Sequence, residues 1–287
     1  MNKLLVVCGP TATGKTELAL YLAAKFDGIL ISADSRQVYR YMDIGTGKDA
    51  KNILGYDLVN PDEEFSVSQY AKFANNSIKK INEQKKLPIL VGGTGLYIKA
   101  VTDGIETADI APNKNLRSTY AKATADELFG ILVRMDARKA KLMNNSDRNN
   151  PRRLIRAIEI SKSNLQIKIK KPNYEVLFVG LTTSFPELKK RIEARVNERV
   201  KMGFEKEVNF LKENGFWSGV PQVTLGYKDW PDVEKWKLEE FKYAKRQMTW
   251  FKKEKRINWF DITKKETENG MVKLIEKWYS DSNAEES

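Results

Sequence analysis

The chain has 287 residues, with 50 Lys and Arg against 38 Asp and Glu for a net charge of +12. That length holds one large domain or two smaller ones, and the cationic excess points to an anionic partner, nucleic acid first. Histidine is absent, which excludes His-dependent triads, imidazole general bases and imidazole metal ligands, and the single cysteine, Cys8, excludes an internal disulfide. A lone cysteine in an apolar run fits a reducing cytosol. With a mean hydropathy of −0.53 and no apolar run near the roughly 20 residues of a membrane span, a cytoplasmic protein without a membrane partner is expected.

In chain order, residues 3–8 form a short apolar run before Gly-Pro, and residues 17–26 then carry Leu18, Ala19, Leu22 and Ala23 at helical spacing. Strand, loop and helix follow one another. Residues 28–33, 56–59 and 86–91 read as further strands, residues 175–181 as another and residues 257–260 as the last. Strands alternating with helical stretches predict an α/β fold with a mainly parallel sheet flanked by helices. Between residues 105 and 172 the strand signal disappears and Ala, Leu, Arg and Lys dominate. The expected organisation is a core built from residues 1–104 and 173–280, an all-helical insertion over 105–172, and a disordered polar tail over 281–287. An ordinary long crossover is the alternative for the insertion. Residues 185–214 are expected to be one helix, in which Leu188, Ile192, Val196 and Val200 make an apolar stripe beside Arg191, Arg195 and Arg199. Residues 238–256 predict a second long helix.

The segment Gly9-Pro10-Thr11-Ala12-Thr13-Gly14-Lys15-Thr16 satisfies G-x-x-x-x-G-K-[ST] between a strand and a helix. Such a loop folds its backbone N–H groups around a polyphosphate, with Lys15 as a point charge and the Thr16 hydroxyl offered to Mg²⁺. The loop identifies the ligand class but not the group transferred. No apolar strand in mid-sheet ends cleanly in a metal-holding Asp, which argues against an ordinary nucleotide hydrolase. Residues 86–91 run instead into Gly92-Gly93-Thr94-Gly95, at a carboxyl strand end where α/β folds bind ligands, so Thr94 is placed to offer a hydroxyl to substrate. Asp34 follows the strand at 28–33 and should emerge at the same edge, either as a helix N-cap or as a base.

Taken together, GPTATGKT, ISADSRQVYRYMDIGTGK, LPILVGGTGLYIKA, NPRRLIRAIEI, RIEARVNERVKMGFEKEV, LGYKDW and KRQMTWFKKEKRINWF resemble, in order and spacing, the tRNA dimethylallyltransferase (tRNA isopentenyl transferase) family. The single cysteine leaves no zinc-finger-like extension, which favours the family's bacterial type. The resemblance implies a P-loop NTPase-like core with a helical insertion, and transfer of a dimethylallyl group from dimethylallyl diphosphate to N6 of the adenosine immediately 3′ of the anticodon in tRNA. The loop from Gly9 to Thr16 would hold the diphosphate leaving group, with Mg²⁺ as cofactor at Thr16. Asp34 matches the family's base, Thr94 a threonine of the reaction channel, and Arg195 an arginine directed to the diphosphate.

The resemblance further implies that Asp34, Ser35, Arg36 and Gln37 meet the target base, which must leave its stack to reach a buried site. Arg152, Arg153 and Arg156, and Lys245, Arg246, Gln247 and Trp250, would grip the anticodon stem-loop of tRNA. The enzyme is expected to act as a monomer. Competing readings are an adenylate isopentenyltransferase acting on free AMP, ADP or ATP, a P-loop kinase, and a basic RNA-binding module with a vestigial loop.

Overall fold

The computed structural model describes residues 2–104, 110–163, 174–264 and 266–280. The chain divides into two compact units, Met1–Gly104 with Lys171–Ser287, and Ile105–Lys170. The expected disordered tail at 281–287 lies outside the described residues, as do 105–109 and 164–173 at the borders of the second unit.

The first unit opens with β1 (Lys3–Cys8), α1 (Lys15–Lys25), β2 (Gly28–Ser32), α2 (Val67–Glu83), β3 (Leu87–Gly92) and α3 (Gly95–Thr102). The second unit holds α4 (Lys114–Thr119), α5 (Ala125–Met135), α6 (Ala137–Leu142), α7 (Asn145–Arg148) and α8 (Pro151–Lys162), with no strand among its described residues. The first unit resumes with β4 (Glu175–Thr182), α9 (Phe185–Lys201), α10 (Phe204–Glu213), α11 (Val220–Val223), α12 (Val233–Phe251), β5 (Ile257–Asp261) and α13 (Thr267–Ser280).

The five strands lie in the order β2-β3-β1-β4-β5 and every pairing is parallel. All six residues of β1 are buried, because the strand is central and covered on both faces. Its side chains alternate accordingly. Leu4, Val6 and Cys8 join a core with residues of α2, α3, α9, α10 and α12, whereas Leu5 and Val7 join one with α1 and α13. Parallel strands all point their carboxyl ends to one edge, and that edge carries the turns after β1, β2 and β3.

Three expected elements differ. Residues 56–59 form no strand: two isolated bridges, Ile31 to Leu54 and Tyr39 to Val59, are all the pairing there. Gly55 and Asp57 adopt φ of 96° and 57°, which breaks an extended run. The helix expected over 185–214 is two helices, parted at Gly203 with φ 97°. The last long helix begins at Val233, five residues before the expected 238, because Asp232 caps it by accepting the Lys235 N–H at 2.9 Å. It ends at Phe251, and residues 252–256 turn back into β5.

In the second unit, Asn150 caps α8 and Pro151 takes its first turn. Leu128 and Leu132 of α5 pack with Leu154, Ala157 and Ile158 of α8 in that unit's own core. Glu159, 4% exposed, accepts from the Asn113 N–H at 3.0 Å, Arg117 at 2.8 Å and Arg156 at 2.9 Å. Burial alone would raise its pKa, but these donors hold it lowered.

Candidate active site

The loop after β1 is held by side chains from two later helices. Within it, the Thr13 hydroxyl and the Lys15 ammonium both donate to the Pro10 carbonyl, at 2.9 and 2.7 Å. From α9, Arg191 donates to the Ala12 carbonyl at 2.8 Å and Arg195 to the Thr11 hydroxyl at 2.8 Å. From α12, Gln247 accepts the Thr11 N–H at 2.9 Å, and Glu240 accepts the Thr11 hydroxyl at 3.3 Å. Of the arginines at four-residue intervals, Arg191 and Arg195 thus face the loop while Arg199 is buried with Leu188, Ile192 and Val196 and pairs with Glu240 at 3.5 Å.

The turn after β3 joins the same framework. The Gln247 amide donates to the Gly93 carbonyl at 2.9 Å, so this one side chain ties the Gly92–Gly95 turn to the Thr11 backbone. A Cβ on Gly93 would stand 2.2 Å from that amide, and one on Gly95 would stand 2.1 Å from the Trp250 indole. A side chain at either position would force Gln247 or Trp250 to shift. Thr94 stands at the N-cap position of α3 without a side-chain capping bond, and its hydroxyl instead accepts the Ser35 N–H at 3.0 Å, linking this turn to the one after β2. There the Asp34 carboxylate accepts the Arg36 N–H at 2.8 Å, a local turn that leaves its second oxygen for other work.

These turns enclose a cleft of about 1180 Å³, lined by Lys15, Thr16, Asp34, Arg195, Tyr243 and Arg246 among others. Seven cationic side chains line it against five acidic ones, a modest cationic excess. Burial, then the neighbouring Arg195, lowers the Lys15 pKa to about 8, and burial followed by Arg199 lowers that of Arg195. Clustered, partly desolvated cations of this kind are destabilised until an anion arrives. Burial raises the pKa of Tyr243, whose hydroxyl is bonded with Thr94 and Gln247, and pushes the Cys8 thiol up to about 12, which makes it a core residue without thiolate reactivity.

Most of the expected site residues converge on this cleft. Thr11, Ala12, Gly14, Lys15, Thr16, Asp34, Ser35, Arg36, Gln37, Arg195, Arg246 and Gln247 line it, and Thr94 reaches it through Ser35. Gln37 and Gln247 are buried and engaged within the protein: Gln37 accepts from the Ser32 hydroxyl at 2.7 Å and donates to the Gly47 carbonyl at 2.9 Å. Both shape the cleft from inside. Lys245 stands 4.4 Å from the Phe241 ring, and Trp250 packs on the Gly95 turn while staying 42% exposed.

Arg152, Arg153 and Arg156 lie on α8 in the other unit. Arg152 is exposed, Arg153 pairs with Asp147, and Arg156 donates to Glu159 and to the Ile110 carbonyl. Sequence reasoning missed Arg191, Arg199, Glu240 and Tyr243. The spacing of the arginines was the available signal for the first two, but Glu240 and Tyr243 are ordinary residues of a charged helix until α12 is folded against the loop.

A family model described as IPP transferase matches residues 37–254. The chain belongs to that family. It is 34% identical to the tRNA dimethylallyltransferase of Carboxydothermus hydrogenoformans over 96% of each chain. It is 38% identical to that of Pelotomaculum thermopropionicum over 90% of each. Among solved structures, the full-length tRNA isopentenylpyrophosphate transferase of Bacillus halodurans superposes with a TM-score of 0.71 at 32% identity, covering 100% of both chains. The fold is accordingly a P-loop NTPase-like core. No helix among the described residues is long and apolar enough to cross a membrane.

Proposed function

We infer that this chain is a prenyltransferase that moves a dimethylallyl group from dimethylallyl diphosphate to N6 of the adenosine immediately 3′ of the anticodon in tRNA, acting as a cytoplasmic monomer. The observation that carries the reading is the convergence of a cation-lined phosphate loop and an available carboxylate, Asp34, in one cleft. The allylic C–O bond breaks and its electron pair leaves with the diphosphate, whose charge Lys15 and Arg195 stabilise. The N6 lone pair forms the new C–N bond. Because that lone pair is delocalised into the ring, loss of the N6 proton to Asp34 during attack lowers the barrier. In a chain without histidine, a carboxylate is the natural base at neutral pH.

The donor set also suits Mg²⁺. Thr16 stands in the first turn of α1 and lines the cleft beside Lys15, and Mg²⁺ usually takes one or two protein oxygens and completes its shell with phosphate oxygens and water. Bound there, it would supply further charge neutralisation to the leaving diphosphate.

The relatives' names and the charge of +12 favour tRNA over free adenine nucleotides as acceptor. The position within tRNA has a direct test. A tRNA whose adenosine 3′ of the anticodon is replaced by guanosine should accept no dimethylallyl group, and full transfer to it would refute that assignment. For the second unit, replacing Arg152 and Arg153 together with Ala should reduce the slope of log affinity against log salt by about 1 to 2, measured by tRNA binding at a series of salt concentrations. An unchanged slope would make both residues bystanders.

Lys15 gives a pH prediction. With its pKa lowered to about 8, the ammonium loses its proton as pH rises through that value, and the bound diphosphate favours the protonated form. Affinity for dimethylallyl diphosphate should therefore be greatest below pH 8 and fall above it by up to about tenfold per pH unit. Calorimetric titration between pH 7 and 9.5 reads this, and Lys15→Ala should flatten the profile at a weaker affinity.

A further inference from the structure

The segment 43–47 lines the cleft through Gly45, Thr46 and Gly47 without belonging to any helix or strand. Its anchor is one carboxylate on α10. Glu207 Oε2 accepts the N–H groups of Asp43 at 2.9 Å and Ile44 at 2.7 Å, and Oε1 accepts the Gly45 N–H at 3.0 Å. The Tyr227 hydroxyl donates to the same Oε1. Burial, and then this carboxylate, push the Tyr227 phenol pKa well up, so the phenol stays a donor. Three successive backbone donors on one carboxylate is the arrangement of an anion nest, here filled by the protein itself.

What the anchored loop touches links it to the chemistry. The carbonyls of Thr46 and Gly47 accept from the Gln37 amide. Gly47 has φ +69°, and a Cβ there would stand 2.3 Å from Arg195 Nη2 and 2.5 Å from Arg199 Nη2. The bare backbone therefore forms the wall against which both guanidinium groups lie. On the far side, Gly45 is pressed against Tyr227 and Phe204. The loop backs both guanidinium groups, whose own bonds run elsewhere: Arg195 donates to the Thr11 hydroxyl at 2.8 Å and Arg199 to Glu240 at 3.5 Å.

We propose that Glu207 is a positioning residue: by holding the 43–47 backbone, it fixes Arg195 and Arg199 where they meet the diphosphate. This rests on the functional reading above only for the identity of the ligand. Glu207→Gln keeps the size of the side chain but turns one acceptor into an NH₂ group facing N–H donors, and Gly47→Ala disturbs the same wall without touching Glu207.

Both variants, as full chains confirmed folded by circular dichroism, would be titrated with inorganic diphosphate and Mg²⁺ and assayed for transfer to tRNA. Each is expected to weaken diphosphate binding about tenfold or more and to lower kcat/KM for dimethylallyl diphosphate in proportion, while KM for tRNA stays within about threefold. If wild-type protein leaves tRNA unmodified yet Glu207→Gln still weakens diphosphate binding, the acceptor assignment fails and the positioning role stands. Unchanged diphosphate affinity in either folded variant, or equal losses toward diphosphate and tRNA, would overturn it.

Discussion

Replacing Asp34 with Asn is expected to lower the rate of prenyl transfer to tRNA by about 10²-fold or more, with affinity for dimethylallyl diphosphate changed by less than about threefold. The substitution is informative because of what Asp34 already does. Its Oδ1 accepts the Arg36 N–H at 2.8 Å, and an Asn carbonyl oxygen can keep that bond and so preserve the turn. Only the capacity to take a proton is lost. Asp34→Ala removes the turn bond as well and should show a similar or larger rate loss. Rapid-quench transfer rates with saturating substrates separate the two roles, and near-normal turnover in the Asn variant would leave Asp34 as a turn residue alone.

The second large effect is expected at Lys15. Lys15→Ala should reduce kcat/KM for dimethylallyl diphosphate by about 10² to 10³ and leave tRNA affinity nearly unchanged. The ammonium donates to the Pro10 carbonyl at 2.7 Å and stands close enough to Arg195 for that guanidinium to lower its pKa. It therefore contributes charge where the leaving group gathers it. Filter binding of tRNA alongside steady-state kinetics distinguishes the cases: parallel loss of tRNA affinity would mean a collapsed fold, and unchanged transfer would remove the loop from the mechanism.

Much of this site was legible because its residues sit in short, local patterns. A strand, a glycine-rich loop and a helix are contiguous in sequence, so Gly9 to Thr16 could be assigned without knowing the rest of the fold. Parallel strands bring their ends to one edge, and from that rule alone Asp34 and Thr94 belong beside the loop. The struts were hidden because they act over long separations. Gln247, expected only as an RNA contact, lies 236 residues from the Thr11 it braces, and Glu207, 164 residues from Asp43, is an unremarkable polar residue in an amphipathic helix until packing chooses its neighbour. The single long helix expected over 185–214 failed for a related reason: its periodicity continues across Gly203, and only a positive φ separates α9 from α10.

The measurement closest to the central claim incubates the purified protein with Mg²⁺ and labelled dimethylallyl diphosphate, offering unmodified tRNA in one reaction and free AMP in another, followed by digestion and identification of the labelled nucleoside. Label in tRNA as N6-(dimethylallyl)adenosine, and none in AMP, is the expected result. Label in AMP alone, or in neither while the folded protein hydrolyses ATP, would contradict it.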